Sequence, residues 1–166
     1  MKNIIVNDKQ INIVEGTLKE FEKYYSDAEF AKNGFLSLVK DENLIPFFAI
    51  YKGRMIGKIY FIKKLDDTDT ADGKEIGYIC NLYVKPKYRH NGIGTALVNC
   101  AKEYAKENGF SKICLGVEES ELRNVKLYNA LGFTNKIKVT NTDMIFKDAD
   151  GNPLRVNEYL ILSSDI

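Results

Sequence analysis

A mixed α+β fold is what this sequence predicts, and three observations predict it. Two runs rich in β-branched and aromatic residues, 45–51 and 55–63, flank the turn Lys52-Gly53-Arg54 and read as an antiparallel hairpin. The apolar run Ile79-Cys80-Asn81-Leu82-Tyr83-Val84 leads through Pro86 and two glycines into a helical pattern, the order strand, turn, helix. Helical and strand-like periods then alternate again, which calls for a mixed sheet with one right-handed crossover around a long helix. At 166 residues and 45% hydrophobic content, the chain has the size of one domain, 1–166, with a substantial core.

The elements follow in order. Thr17 caps a helix carrying Leu18, Phe21, Tyr24 and Tyr25, and Glu20 completes a capping box. A second helix is predicted over 27–39, then the hairpin, then a polar loop over 65–73. A strand over 75–84 feeds the glycine turn. Beyond it Ile93, Ala96, Leu97, Cys100, Ala101, Tyr104 and Ala105 recur at helical spacing, and Asn108-Gly109 supplies the stop. A strand at 112–117 and a helix closed by Gly132 come next. Strands near 136–139 and 144–146, a turn at 148–153 and a last strand at 156–162 complete the chain. Read this way, helices come first, a meander follows, and a hairpin closes the sheet.

Composition narrows the partners. Lys plus Arg total 24 against 23 Asp plus Glu, a net charge of +1, and the basic residues are scattered, so neither nucleic acid nor an anionic membrane is expected as a partner. No run approaches a membrane span, and Asn7-Asp8-Lys9 interrupts the N-terminal apolar stretch before a secretory core forms, so a cytoplasmic location is expected. Cys80, Cys100 and Cys114 have neither even count nor metal spacing and read as reduced packing residues. Asp148-Ala149-Asp150-Gly151 has its glycine misplaced for a calcium loop and Tyr159 at the twelfth position, so a hairpin turn explains it and no metal is expected.

The stretch Arg89-His90-Asn91-Gly92-Ile93-Gly94-Thr95 reads as a phosphate-binding turn. Gly92 and Gly94 let backbone amides close on a bulky anion as the chain enters a helix whose positive end faces the ligand. Arg89 adds a planar cationic fork, and Pro86 sits where a missing amide costs nothing. Such a site suits a pyrophosphate. There is no Gly-Lys-Ser/Thr for a P-loop and no third glycine for a dinucleotide fingerprint.

An Arg-x-x-Gly-x-Gly at a strand-to-helix junction resembles the coenzyme A pyrophosphate loop of the GNAT superfamily of acyl-CoA-dependent N-acyltransferases. The downstream segment Leu127-Tyr128-Asn129-Ala130-Leu131-Gly132-Phe133 is similar to that superfamily's Leu-Tyr-x-x-x-Gly-Phe signature. The likeness covers 75–133 well, the C-terminal strands loosely and the first seventy residues only in their pattern of helices and hairpin.

The resemblance implies the GNAT fold, with acetyl-CoA as acyl donor and an unidentified amine as acceptor. It implies that strands 76–84 and 112–117 splay apart and that the pantetheine arm pairs with the backbone of Leu82, Tyr83 and Val84. A main-chain amide near Leu82 or Val84 then polarises the thioester carbonyl, and the Tyr128 phenol serves the departing thiolate. Outside the motif, Tyr128 would read as an amphipathic residue at a core boundary.

Other readings stay open. Asn124 lies one helical turn before Tyr128, where it either reaches the cofactor or serves as a helix-start residue. Relatives often carry Asn where this chain has Glu121. A carboxylate often placed midway along the strand is replaced here by Tyr78, Ile79, Cys80 and Asn81, leaving Glu75 as a base, direct or through water, or as a solvated strand-end residue. His90 reads as a turn residue near phosphate. Asp67, Asp69 and Asp72 either draw a cationic amine or form soluble surface. The final strand offers pairing across a two-fold axis as a route to a homodimer. Besides an N-acetyltransferase, the residues admit a non-catalytic acyl-CoA-binding module of the same fold, or an unrelated enzyme whose glycine turn binds another nucleotide.

Overall fold

An open eight-stranded sheet in the order β1-β2-β3-β4-β5-β6-β8-β7 organises the chain in the computed structural model, which describes residues 2–6, 9–25, 29–140 and 158–166. Strands β1 (Lys2–Val6) and β2 (Lys9–Glu15) precede helices α1 (Leu18–Tyr24) and α2 (Glu29–Lys40). The hairpin β3 (Leu44–Tyr51) and β4 (Arg54–Ile62) follows, then β5 (Ile76–Val84), α3 (Ile93–Glu107), β6 (Lys112–Glu118), α4 (Leu122–Ala130), β7 (Asn135–Thr140) and β8 (Tyr159–Asp165). No helix among the described residues is long and apolar enough to cross a membrane.

Two sequence expectations change. A hairpin, not a helix, comes first: β1 pairs antiparallel with β2, and β2 adds to β3 with Ile13 opposite Ala49. The alternation in Ile11-Asn12-Ile13 drives this, because Ile11 and Ile13 are both fully buried in the core. The last strand also runs three residues further than predicted, since Ser163 and Ser164 are buried in the sheet despite their hydroxyls. It lies between β6 and β7, so both of its edges are hydrogen-bonded and the expected two-fold pairing through this strand is closed. The predicted strand at 144–146, turn at 148–153 and acidic Asp148–Gly151 motif lie outside the described residues.

Local chemistry explains the junctions. Thr17 and Glu20 form the predicted capping box of α1, with the Thr17 amide donating to Glu20 Oε2 at 2.8 Å. Lys52 and Gly53 both have positive φ, 49° and 72°, the backbone that a two-residue hairpin turn between twisted strands requires. Asp72 Oδ1 accepts from the amides of Lys74, Glu75 and Ile76, pinning the start of β5.

Two apolar layers sandwich the sheet. One, under α3, gathers Phe47, Ile59, Phe61, Ile79, Leu97, Val98, Ala101, Phe110 and Phe133. The other, under α1 and α2, gathers Phe21, Phe35, Leu44, Phe48, Tyr60 and Ile62. Strand β5 alternates between them. Gly77 faces the α3 layer, where a Cβ would lie 2.3 Å from the Phe61 ring, whereas Tyr78 and Cys80 pack on the α1/α2 layer.

Candidate functional site

The site begins where two parallel strands stop pairing. Strand β5 meets β6 only at Ile76–Lys112, Gly77–Ile113 and Tyr78–Cys114. Beyond Tyr78 the β6 side of β5 has no ladder partner, while β6 continues against β8 as far as Glu118. This is the splay expected of strands 76–84 and 112–117. It leaves the backbone groups of Leu82, Tyr83 and Val84 on an open edge inside the molecule, where they require partners. The Tyr78 hydroxyl lies on the floor of the opening, since a Cβ on Gly116 of β6 would come within 2.8 Å of it.

Strand β5 bends at this point. Cys80 opposes Tyr60 and Tyr83 opposes Lys58, so Asn81 and Leu82 together face the single residue Ile59 in a β-bulge. Asn81 takes φ 54°, which Asn tolerates better than most residues. Its Nδ2 is buried and has no hydrogen-bond partner. An unsatisfied buried donor costs on the order of 1–3 kcal/mol, so this residue is held at a cost. The sequence reading did not single out Asn81. Its signal was an Asn in mid-strand within an apolar run, a residue type depleted in strands and suited to left-handed backbone.

At the far end of β5 the phosphate turn has the predicted form. Helix α3 starts at N-cap Gly92 with φ 74° and no side-chain cap, so the amides of Ile93, Gly94 and Thr95 have no intrahelical acceptor and carry the positive end of the helix dipole. A Cβ on Gly92 would meet no atom within 4 Å, and one on Gly94 only Val84 and Leu82 at 3.9 and 4.0 Å, so the space above both glycines is open. Arg89 Nε donates to the Val84 carbonyl at 2.8 Å, which fixes the guanidinium beside the turn. Asn91 Nδ2 donates to the Arg89 and Tyr88 carbonyls at 2.7 and 3.2 Å and shapes the loop. His90 is exposed with φ 60°, a turn residue as expected. Ile93 is buried and anchors the helix in the core.

Helix α4 brings Tyr128 to the opening. The ring packs edge-on against Phe133 with centroids 6.1 Å apart. Burial first, then the Glu121 carboxylate and the Cys80 thiol, push its phenol up to about 12, which keeps it protonated and donating at neutral pH. The ring itself packs against the core layer under α3. Lys102 holds the helix end: its Nζ donates to the Leu131 carbonyl at 2.8 Å and to Ser164 Oγ at 2.7 Å, and lies 4.6 Å from the Phe133 ring centre. Gly132 has φ 89°, and a Cβ there would approach Ser164 Oγ at 3.3 Å and Lys102 Nζ at 3.6 Å, which accounts physically for the glycine in this segment.

The other candidates fall elsewhere. Glu75 is exposed at the closed end of β5, where its carbonyl accepts from Ser111 and Lys112; five extended residues, on the order of 17 Å, separate it from Cys80. The structure therefore does not bring Glu75 to Tyr128. Asn124 sits in the first turn of α4, its Nδ2 donating to Glu121 Oε2 at 2.8 Å. Asp72 is spent on backbone amides. Burial would raise the Asp67 pKa, but hydrogen bonds from Lys138, at 2.6 Å, and Thr70 outweigh it and hold the carboxyl below its usual value. Asp69 is mostly exposed and lies 3.5 Å from the same lysine.

Known proteins resemble this chain in sequence and in fold. The model of the acetyltransferase (GNAT) family matches residues 11–133, spanning the hairpin, the phosphate turn and the Tyr128 helix. The chain belongs to the GNAT family. An uncharacterized N-acetyltransferase of Methanocaldococcus jannaschii is 31% identical over 117 residues, 70% of this chain and 51% of that protein. A thialysine N-epsilon-acetyltransferase of Bos taurus is 40% identical over 63 residues, 38% of this chain and 36% of that protein. The match thus spans about half or less of these two GNAT relatives. A GNAT family acetyltransferase of Elizabethkingia anophelis, solved with acetyl-CoA bound, has the same fold at TM-score 0.63 and 18% identity, covering 94% of this chain and 98% of that one.

Proposed function

We propose that this GNAT domain transfers the acetyl group of acetyl-CoA to a primary amine of a small molecule or peptide, by direct attack in a ternary complex. The observation that carries the reading is the end of β5–β6 pairing at Tyr78, with an open amide cradle at the far end of the freed edge. An acyl-CoA fits these groups. Its pyrophosphate suits the amides of Gly92, Ile93, Gly94 and Thr95 with Arg89, and its pantetheine amides suit the backbone of Leu82, Tyr83 and Val84 along the edge that β6 leaves without a ladder partner. The acetyl-CoA in the Elizabethkingia anophelis homologue supports the donor, and the thialysine enzyme's ε-amine supports a primary amine as acceptor.

A neutral amine attacks the thioester carbon, and the carbonyl π pair moves to oxygen, where donors along β5 stabilise it. As the pair returns, the carbon–sulfur bond breaks and the thiolate takes the Tyr128 proton; the proton lost by the amine leaves through water and restores the phenol. Glu75 takes no part.

The absence of a carboxylate midway along β5 favours one second reading, a binding-only module of the same fold. A thiol-release assay over an amine panel separates them: the acyltransferase reading expects acetyl-CoA-dependent turnover with at least one amine class, and Tyr128→Phe should lower kcat roughly tenfold or more with the KM for acetyl-CoA nearly unchanged. CoA binding with no turnover on any amine would leave the binding module.

A further inference from the structure

We infer that the Asn81 side-chain amide is a ligand-directed hydrogen-bond donor, placed to hold the thioester carbonyl oxygen of the acyl donor; the inference rests on the acyltransferase reading above. Four non-glycine residues among those described have positive φ, and Asn81 is the one that lies within a strand. Glu42 follows α2, Lys52 belongs to the hairpin turn and His90 to the phosphate turn. A strand interior gives no turn-forming reason for such backbone, and strain of this kind persists where the surroundings enforce it.

The second observation is independent of backbone. Among the described residues, Asn81 Nδ2 is the one buried side-chain nitrogen without a hydrogen-bond partner. It lies three residues past the last β5–β6 pair, on the strand edge that β6 abandons, next to Cys80, which acts electrostatically on Tyr128. A buried donor left without a partner on the stretch of strand where pairing has ended is one that an arriving acceptor completes.

Chemistry selects the acceptor. An amide N–H satisfies a carbonyl or oxyanion, so the unpartnered Asn81 Nδ2 is matched to the acyl donor. It cannot take the amine proton. With the sulfur at Tyr128, the thioester carbonyl lies within the same stretch of β5, and the bond to Nδ2 strengthens as amine attack moves charge onto oxygen. The donor acts with the main-chain amides of the strand: attack forms the carbon–nitrogen bond, the oxyanion collapses, the carbon–sulfur bond breaks, and Tyr128 protonates the sulfur.

Three variants separate this role from a purely conformational one. Asn81→Gly accepts positive φ without strain and removes the donor. Asn81→Asp keeps the shape and replaces the donor with a carboxylate, and Asn81→Ser restores a shorter donor. The inference expects Gly and Asp to lower kcat roughly ten- to a hundredfold with Ser between them and the unsubstituted protein. Thermal unfolding supplies a readout without an acceptor: stabilisation by CoA, which has no acyl carbonyl, should be unchanged in Asn81→Gly, while the additional stabilisation by acetyl-CoA over CoA should disappear. An Asn81→Gly variant with undiminished kcat, or one that loses CoA and acetyl-CoA stabilisation equally, would overturn it. No CoA response in the unsubstituted protein would instead defeat the acyltransferase reading beneath it.

Discussion

Tyr128 and Gly92 carry the account at the scale of single residues. With the phenol pushed up to about 12, its ionisation stays outside the usual working range. The pH profile of kcat/KM should therefore rise as the acceptor amine loses its proton and show no descending limb from Tyr128 below about pH 10. A descending limb near neutrality, absent from Tyr128→Phe, would contradict that assignment. Gly92 has φ 74° with open space above it, so Gly92→Val combines an unfavourable backbone with methyl groups where the anion belongs. Direct titration should find CoA affinity reduced at least tenfold, and affinity equal to that of the unsubstituted protein would remove the turn from the site. Much of this was legible in the sequence, because glycine spacing and the Leu127-Tyr128 segment are local signals. Asn81 was not, since an orphaned amide exists only once neighbouring strands have been placed.

Among the elements, α4 and the acidic loop give opposite lessons. Lys102 joins the α4 terminus, the Phe133 ring and Ser164 through a partly buried ammonium, and burial lowers its pKa. Lys102→Met leaves the Leu131 carbonyl without this donor and should cost on the order of 1–3 kcal/mol by denaturant titration, whereas a neutral result would show that the clamp is dispensable. The Asp67–Lys138 pair keeps contact with water, with 20% and 31% of the two side chains accessible, and should matter less, under about 1 kcal/mol for Lys138→Met at pH 7. The sign follows from the depressed Asp67 pKa. Its contribution is present above the ordinary carboxylate value of 3.8 and is lost as pH falls through the lower native value, so the variant and the parent should converge as the carboxyl becomes protonated in both states. Sequence reading placed the long helix and the central hairpin well, because period and turn chemistry are both local there. It missed β1 and β2, whose reason to be strands is the pairing of Ile13 with Ala49, thirty-six positions away.

At the scale of the whole molecule, the opening between β5 and β6 depends on everything around it. The crossover through α3 sets β6 parallel to β5, the Glu75 carbonyl and three ladder pairs close the strands at one end, and the bulge at Asn81 together with the β6–β8 pairing parts them at the other. No single motif encodes that divergence; the sequence suggested it only through likeness to a family with the same arrangement. The most direct test is thermal unfolding with acetyl-CoA, CoA, ATP and NAD in parallel, since a ligand that binds only the folded state must stabilise it. At a hundredfold excess over Kd, acetyl-CoA and CoA should raise Tm by roughly 5–10 °C while ATP and NAD leave it nearly unchanged. Equal shifts with all four ligands, or none with CoA, would contradict the assignment of the opened β5 edge and its glycine turn as an acyl-CoA site.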